Sequence, residues 1–268
     1  STLSSSSAAS DVYKRQLFIL TRTLKLIWKR MRHLHPQISQ TKLWAVIPAA
    51  GSGSRFSKTE LKQYQYIQNR TVLEHTIGRI SQLPLNGYVL AIGAQDTFAQ
   101  TLAFQNIDKA HFCIGGAERV HSVLNALNHL LNFADENDWV LVHDAARPCV
   151  TIDCLNALVA NAIESNESAI LAIPVRDTLK QVKSGNHIDK TVSRDLLWQA
   201  QTPQITKIGK LKKTIEHALE NDVTITDEAS ALEYMGETVQ VVMGRSDNIK
   251  ITYPDDLELA RLILQSQS

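Results

Sequence analysis

The sequence predicts an α/β fold, a mostly parallel sheet with helices on both faces, and three features carry this. Apolar runs of strand length, such as LWAVI at residues 43–47 and GYVLAIG at 87–93, are continuous rather than alternating, which suits strands buried on both faces. Segments with apolar residues at helical spacing separate these runs. Strands that alternate with helices in this way imply βαβ units and a parallel sheet. Ligands of such sheets gather beyond the carboxyl ends of the strands.

Residues 1–42 stand apart from this pattern. They open with STLSSSSAAS, lack an initial Met and continue into the basic, apolar LFILTRTLKLIWKRMRHLH. Seven Lys or Arg face Asp11 alone in residues 1–40, a local balance of +6 within a chain of formal net charge +1. That composition suits a transit peptide or an amphipathic surface helix. The simpler expectation is that native translation begins at Met31, which makes residues 1–42 an extraneous or disordered extension and 43–268 the functional domain.

The first strand ends at Pro48, which has no amide hydrogen to give a ladder. Gly51 and Gly53 permit positive φ, so the amides of residues 49–54 are expected to turn toward an anion as a nest. Residues 71–83 place Val72, Leu73, Ile77, Ile80 and Leu83 on one helical face, and Pro84 closes that helix. Strands follow at 87–93 and 110–116, and a helix at 118–131 carries Val120, Val123, Leu124, Leu127 and Leu131 on one side. DWVLVHDAARP, residues 138–148, is a strand running into a loop; a helix at 151–165 and a buried strand at 168–175 come next.

The pattern then changes. Residues 176–194, RDTLKQVKSGNHIDKTVSR, alternate apolar and polar side chains around Ser184-Gly185-Asn186, as a β-hairpin does. An isolated hairpin is poorly stable, so this one is expected to leave the body of its subunit as an arm and to pack on something else. Residues 196–205 return to the core and a helix spans 207–220. Thr226 or Asp227 caps the next helix, 238–244 and 248–252 read as short strands, and Pro254 opens a last helix. The whole is a Rossmann-like sheet with a protruding β-hairpin arm.

Composition narrows the function. Outside the basic leading segment the chain is mildly acidic, which gives no reason to expect a nucleic-acid surface. Cys113, Cys149 and Cys154 show neither an even count nor C-x-x-C spacing and read as the reduced thiols of a cytoplasmic protein. The nine histidines form no H-E-x-x-H cluster, so no structural zinc is expected. No apolar run approaches the roughly 18 residues that span a bilayer, so no membrane association is expected of the domain.

Arg55 and Lys62 lie close enough to the glycine loop to fold over a triphosphate and offset the charge of phosphoryl or nucleotidyl transfer. Taken alone, the loop reads equally as a glycine turn with solvated lysines. Phe56 occupies the last glycine of G-x-G-x-x-G, which disfavours a dinucleotide-binding oxidoreductase, and no G-K-[ST] follows as a P-loop requires.

PAAGSGSRF followed by LKQY resembles the signature of nucleotidyltransferases that join a nucleoside monophosphate to a phosphorylated sugar or polyol. The resemblance continues through HDAARP, PVRDT, TPQ, TITDEASALE and DNIKIT, and is closest to the 2-C-methyl-D-erythritol 4-phosphate cytidylyltransferase family. It implies cytidylyl transfer from CTP to that polyol phosphate with release of pyrophosphate, use of Mg²⁺, and a homodimer clasped by the 176–194 arm. The alternative within the same reaction class is a relative acting on another polyol phosphate such as ribitol 5-phosphate. The chain ends soon after the last helix, so no fused second enzyme is expected within it.

The resemblance points to Arg55 and Lys62 as catalytic cations and to Ala49, Ala50, Gly51, Gly53, Gly116 and Ser122 as nucleotide-binding, although Ser122 reads equally as a helix-face hydroxyl. It points to Thr178, Arg194, Thr202, Thr226 and Lys250 for the polyol phosphate, with Arg194 at the foot of the arm expected to reach a neighbour's site. Arg147 either binds phosphate there or pins its loop. Leu61 stands where the family usually has Pro. Asp144, just past a strand, is a natural Mg²⁺ ligand, since that ion takes few protein carboxylates and completes its shell with phosphate and water; capping its own turn is the plainer role. His143 reads as structural. The attacking phosphate monoester, with a second pKa of about 6, is already mostly a dianion at neutral pH, so no general base is required. The demand falls on cations that bring two anions together. Arg55, Lys62 and Asp144 occurring together argue against a catalytically silent nucleotide-binding module.

Overall fold

β1 (Leu43–Pro48) lies inside the sheet with a strand on either side, and its first five residues are buried. A computed structural model describes residues 41–268 except 52, 54, 58, 59, 184 and 268. β1 pairs in parallel with β4 (Gly87–Ile92) on one side and with β6 (Trp139–Val142) on the other. β5 (Ala110–Ile114) extends the sheet beyond β4. Past β6 lie β10 (Trp198–Lys207), β7 (Ser168–Pro174) and β11 (Val239–Met243), giving the order β11-β7-β10-β6-β1-β4-β5. Among these strands only β10 runs antiparallel to its neighbours. The chain winds outward from β1 through β4 to β5 and then returns to the opposite side as β6. That reversal puts the ligand crevice between the carboxyl ends of β1 and β6.

Helices cover the sheet as the periodicity requires. α2 (Arg119–Leu130) and α4 (Ile208–Glu220) bury Val123, Leu127, Leu211 and Ile215 against Val46, Val89 and Val140. The alternate residues Ala45, Ile47, Leu90 and Leu141 point to the other face and are also buried. The small hairpin β2 (Tyr66–Ile67) and β3 (Arg70–Thr71) leads into α1 (Val72–Ile80), where Thr71 and Glu74 form a capping box contributing about 1 kcal/mol. α3 (Ile152–Ser165) is capped by Thr151, and α5 (Glu228–Tyr234) by Asp227, paired with Ser230. α6 (Asp255–Ser266) sets Ala260 and Leu264 against Ile67, Val72 and Ile251.

Four expectations change. α1 stops at Ile80, although Leu83 beyond it is still buried. Residues 248–252 form no strand, because the Asn248 side chain is tied to the Thr202 carbonyl and the Ile251 amide to that of Ala146. In β10 only the part from Gln201 onward is core: Trp198 is 42% exposed, and burial begins within the irregularity between Ala200 and Gln204. The fourth is at Gly51, described below. The hairpin forms as expected, with β8 (Leu179–Val182) and β9 (Ile188–Val192) paired to each other in a separate two-stranded sheet. Gly185 and Asn186 supply the positive φ of its turn, and Val182 and Ile188 are left exposed. Met31 and the leading extension lie outside the described residues.

Candidate functional site

At the β1/β6 reversal a cavity opens whose lining includes Ala49, Ala50, Gly51, Lys62, Gly116, Ser122, Asp144 and Lys250. The loop after β1 differs in part from the expected nest. The Ala49 amide is already committed to the Ala91 carbonyl at 2.8 Å. Gly53 has φ +63°, whereas Gly51 does not enter the left-handed region and a Cβ there would meet nothing within 4 Å. The backbone therefore requires glycine at 53 and not at 51. Phe56 turns inward against the cluster around Ile251, leaving Arg55 exposed on the turn.

The LKQY segment is fastened at three points. Gln63, buried, donates to the Ala49 carbonyl at 2.9 Å, and the Tyr64 hydroxyl donates to the Asp96 carboxylate. Lys62 Nζ donates to the Ile251 carbonyl at 2.8 Å. Burial lowers the pKa of Lys62 to about 8; Lys250 and Arg55 add to the shift and Asp144 opposes it.

Asp144 is the centre of the charge network. Its Oδ1 accepts from Arg119 Nε at 2.9 Å, and its Oδ2 lies 2.8 Å from Lys250 Nζ and 3.6 Å from Arg147 Nε. Burial alone would raise this carboxyl, but Arg119, Lys250 and Arg147 together hold it well below the usual carboxylate range. A hydrogen-bond chain fixes the backbone: the Asp144 amide donates to the Thr202 hydroxyl at 3.0 Å, which meets His143 Nδ1 at 3.0 Å, while His143 Nε2 meets the Arg147 carbonyl at 3.1 Å. Since a carbonyl only accepts, Nε2 carries the proton and Nδ1 accepts from Thr202. His143 is fully buried and its pKa falls to about 4, chiefly through that burial. Arg147 Nη1 donates to the Asn248 carbonyl at 2.7 Å, pinning the 248–252 loop.

On the other wall the Gly116 amide donates to Ser122 Oγ at 3.0 Å, and a Cβ on Gly116 would come within 2.2 Å of His121 Cβ. Glycine is needed there for close packing on the start of α2. Thr202 lies beneath Asp144 with its hydroxyl engaged by His143, so it supports the site from below. Thr178, Arg194 and Thr226 are exposed and outside the cavity lining of the single chain, and Arg55 and Gly53 stand beside it. Sequence reasoning missed Arg119, Gln63 and Glu228. Arg119 follows Gly116 by three residues in GGAER, the one local signal that pointed to it.

No group of three or more His, Cys, Asp and Glu gathers as a closed metal site among the described residues. One carboxylate whose Oδ2 is held by a flexible lysine does suit Mg²⁺, which binds through one or two carboxylates and takes its remaining ligands from phosphates and water.

The sequence model described as 2-C-methyl-D-erythritol 4-phosphate cytidylyltransferase matches residues 43–266. A protein of that name from Acinetobacter baumannii (strain AYE) is 81% identical over 238 residues, which are 89% of this chain and 100% of the relative. One from Acinetobacter baylyi is 68% identical over 235 residues, 88% of this chain and 98% of the relative. The crystal structure of the Francisella tularensis enzyme of the same name superposes with a TM-score of 0.73 at 39% identity, covering 83% of this chain and 100% of that one. The sequences of these relatives, and the fold of the solved one, agree with this chain over the domain that builds the cavity, and the chain belongs to the 2-C-methyl-D-erythritol 4-phosphate cytidylyltransferase family.

Proposed function

We infer that this chain transfers a cytidylyl group from CTP to 2-C-methyl-D-erythritol 4-phosphate, forming 4-diphosphocytidyl-2-C-methyl-D-erythritol and pyrophosphate for isoprenoid precursor synthesis by the non-mevalonate route. The observation that carries the reading is the convergence of Lys62 and Lys250 on the Asp144 edge of a cavity walled largely by alanine and glycine. Cytosine and ribose fit against Ala49, Ala50 and the Gly116–Ser122 turn, where small side chains leave room for a pyrimidine. Lys62 and Arg55 draw charge from the triphosphate. A phosphate oxygen of the polyol substrate forms a bond to the α-phosphorus, the α–β bridging P–O bond breaks, and pyrophosphate leaves with the electron pair. The protein supplies position and positive charge. His143, with both ring nitrogens engaged, takes no proton in this scheme.

Asp144 would hold Mg²⁺, which neutralises triphosphate charge when bound. The arm clasps a second copy of the chain, bringing Thr178 and Arg194 to the neighbour's polyol-phosphate site. Support comes from strands that pair only with each other and from the apolar Val182 and Ile188 left in solvent. Incubating the purified chain with CTP and equal amounts of methylerythritol phosphate and ribitol 5-phosphate tests the substrate. The expected product is the methylerythritol derivative with stoichiometric pyrophosphate; preferential formation of CDP-ribitol would overturn the assignment.

A further inference from the structure

β10 reaches Asp144 by two routes, and the longer one runs through side chains that none of the roles above uses. The short route is the Thr202 hydroxyl under the Asp144 amide. The longer begins at Gln204, whose Nε2 donates to Asp227 Oδ2 at 2.8 Å and whose Oε1 accepts from the Ala229 amide at 2.8 Å. These bonds fix the first turn of α5 and with it Glu228, which is 2% exposed. The two oxygens of Glu228 accept from Nη1 and Nη2 of Arg119 at 2.6 and 3.0 Å, and Nε of the same guanidinium donates to Asp144 Oδ1. A carboxylate this buried is costly unless paired, and the planar guanidinium fork meets two carboxylates in fixed directions, which a lysine ammonium does not. Burial works against the Arg119 charge, and the two carboxylates more than offset it.

We propose that Glu228 and Arg119 form a positioning pair for Asp144. Arg119 occupies Oδ1, so that Oδ2, held by Lys250 Nζ and 3.6 Å from Arg147 Nε, is the oxygen that would meet the divalent cation. Glu228 supplies the counter-charge that keeps Arg119 from competing with that cation. The proposal rests on the reading of Asp144 as the carboxylate that receives the metal.

Mn²⁺ serves as the probe. Titrating Mn²⁺–CTP with the full chain and following water proton relaxation reports the ternary complex, and calorimetry with CTP in excess chelator reports nucleotide binding without metal. Glu228→Gln is expected to weaken Mn²⁺–CTP binding by about tenfold or more, the scale of losing an outer-shell partner, and to leave metal-free CTP binding unchanged. Arg119→Lys keeps the charge but loses the fork and is expected to weaken Mn²⁺–CTP binding similarly; it decides the matter if Glu228→Gln does not fold. A purely structural role would lower thermal stability and leave the metal affinity of the folded protein alone. Wild-type Mn²⁺ affinity in folded variants would overturn the positioning pair only. Absence of any Mn²⁺-dependent gain in CTP binding by the wild type would overturn the metal reading of Asp144, and the pair with it.

Discussion

Lys250 Nζ stands 2.8 Å from Asp144 Oδ2, and the next carbonyl along the chain, that of Ile251, takes the hydrogen bond of Lys62. One loop thus holds the Asp144 carboxylate and the Lys62 ammonium at a set separation. It does so because Arg147 binds the Asn248 carbonyl and the Ile251 amide binds that of Ala146. Replacing Lys250 with Ala should lower turnover by about 10²-fold, the scale of losing one electrostatic contact to the transition state. It should also move the alkaline limb of the rate profile upward, since Lys250 is one of the charges that depress Lys62. A full rate profile for Lys250→Ala against wild type measures both; an unmoved limb would separate the two lysines.

Thr202→Val keeps the shape of a buried residue and removes the hydroxyl that the Asp144 amide and His143 share. Leaving those groups unpaired should cost about 1–3 kcal/mol in urea unfolding. If Thr202 acts by holding Asp144, kcat falls and the KM for methylerythritol phosphate is unchanged. A rise in that KM at constant kcat would instead make Thr202 a direct substrate contact.

His143 predicts a specific acid sensitivity. Burial lowers its pKa from 6.5 to about 4, so the unfolded chain takes up a proton at higher pH than the folded one. The stabilisation is fully present above 6.5 and is lost as the pH falls toward 4, on the order of 3 kcal/mol in all. Protonation also puts a hydrogen on Nδ1, facing the Thr202 hydroxyl. Denaturant melts of wild type and His143→Asn between pH 7 and 4 compare the slopes; equal slopes would remove His143 as the source.

Arg194 and the arm predict complementation. Arg194→Ala and Lys62→Ala subunits should each be inactive, yet a mixed dimer holds one site with both lesions and one with neither. Reassociated mixtures should recover up to about a quarter of wild-type activity if sites act independently and dimers form statistically. No recovery, with heterodimers present in native mass spectra, would place Arg194 in its own subunit's site.

The strands and helices around the cavity were legible because their signals are local: apolar runs of fixed length, apolar residues at helical spacing, Asp227 as one of two candidate caps, and Gly185-Asn186 in the hairpin turn. Residues 248–252 read as a strand from the same kind of signal, and tertiary bonds to Thr202 and Ala146 overrode it. Lys62 and Asp144 were singled out through motif resemblance, and the fold places both in the lining of one cavity. Arg119 and Glu228 were not, because they stand 109 residues apart and nothing in either segment signals the other. The burial of Thr202 was hidden for a similar reason, since a threonine in TPQ looks the same above or beneath a carboxylate.

In the proposed reaction, transfer depends on cations assembled at the Asp144 edge and on no protein base. The rate of pyrophosphate release at saturating CTP, followed from pH 5 to 10 for wild type and Lys62→Arg, tests it most directly. The wild type should show an acid limb near the substrate phosphate's second pKa of about 6 and an alkaline limb, as Lys62 loses its proton, starting from its pKa of about 8 in the free protein. Lys62→Arg should leave the acid limb in place and carry activity to higher pH, because a guanidinium stays charged there. An alkaline limb that stays where it was in Lys62→Arg would show that the charge on Lys62 does not drive the transfer.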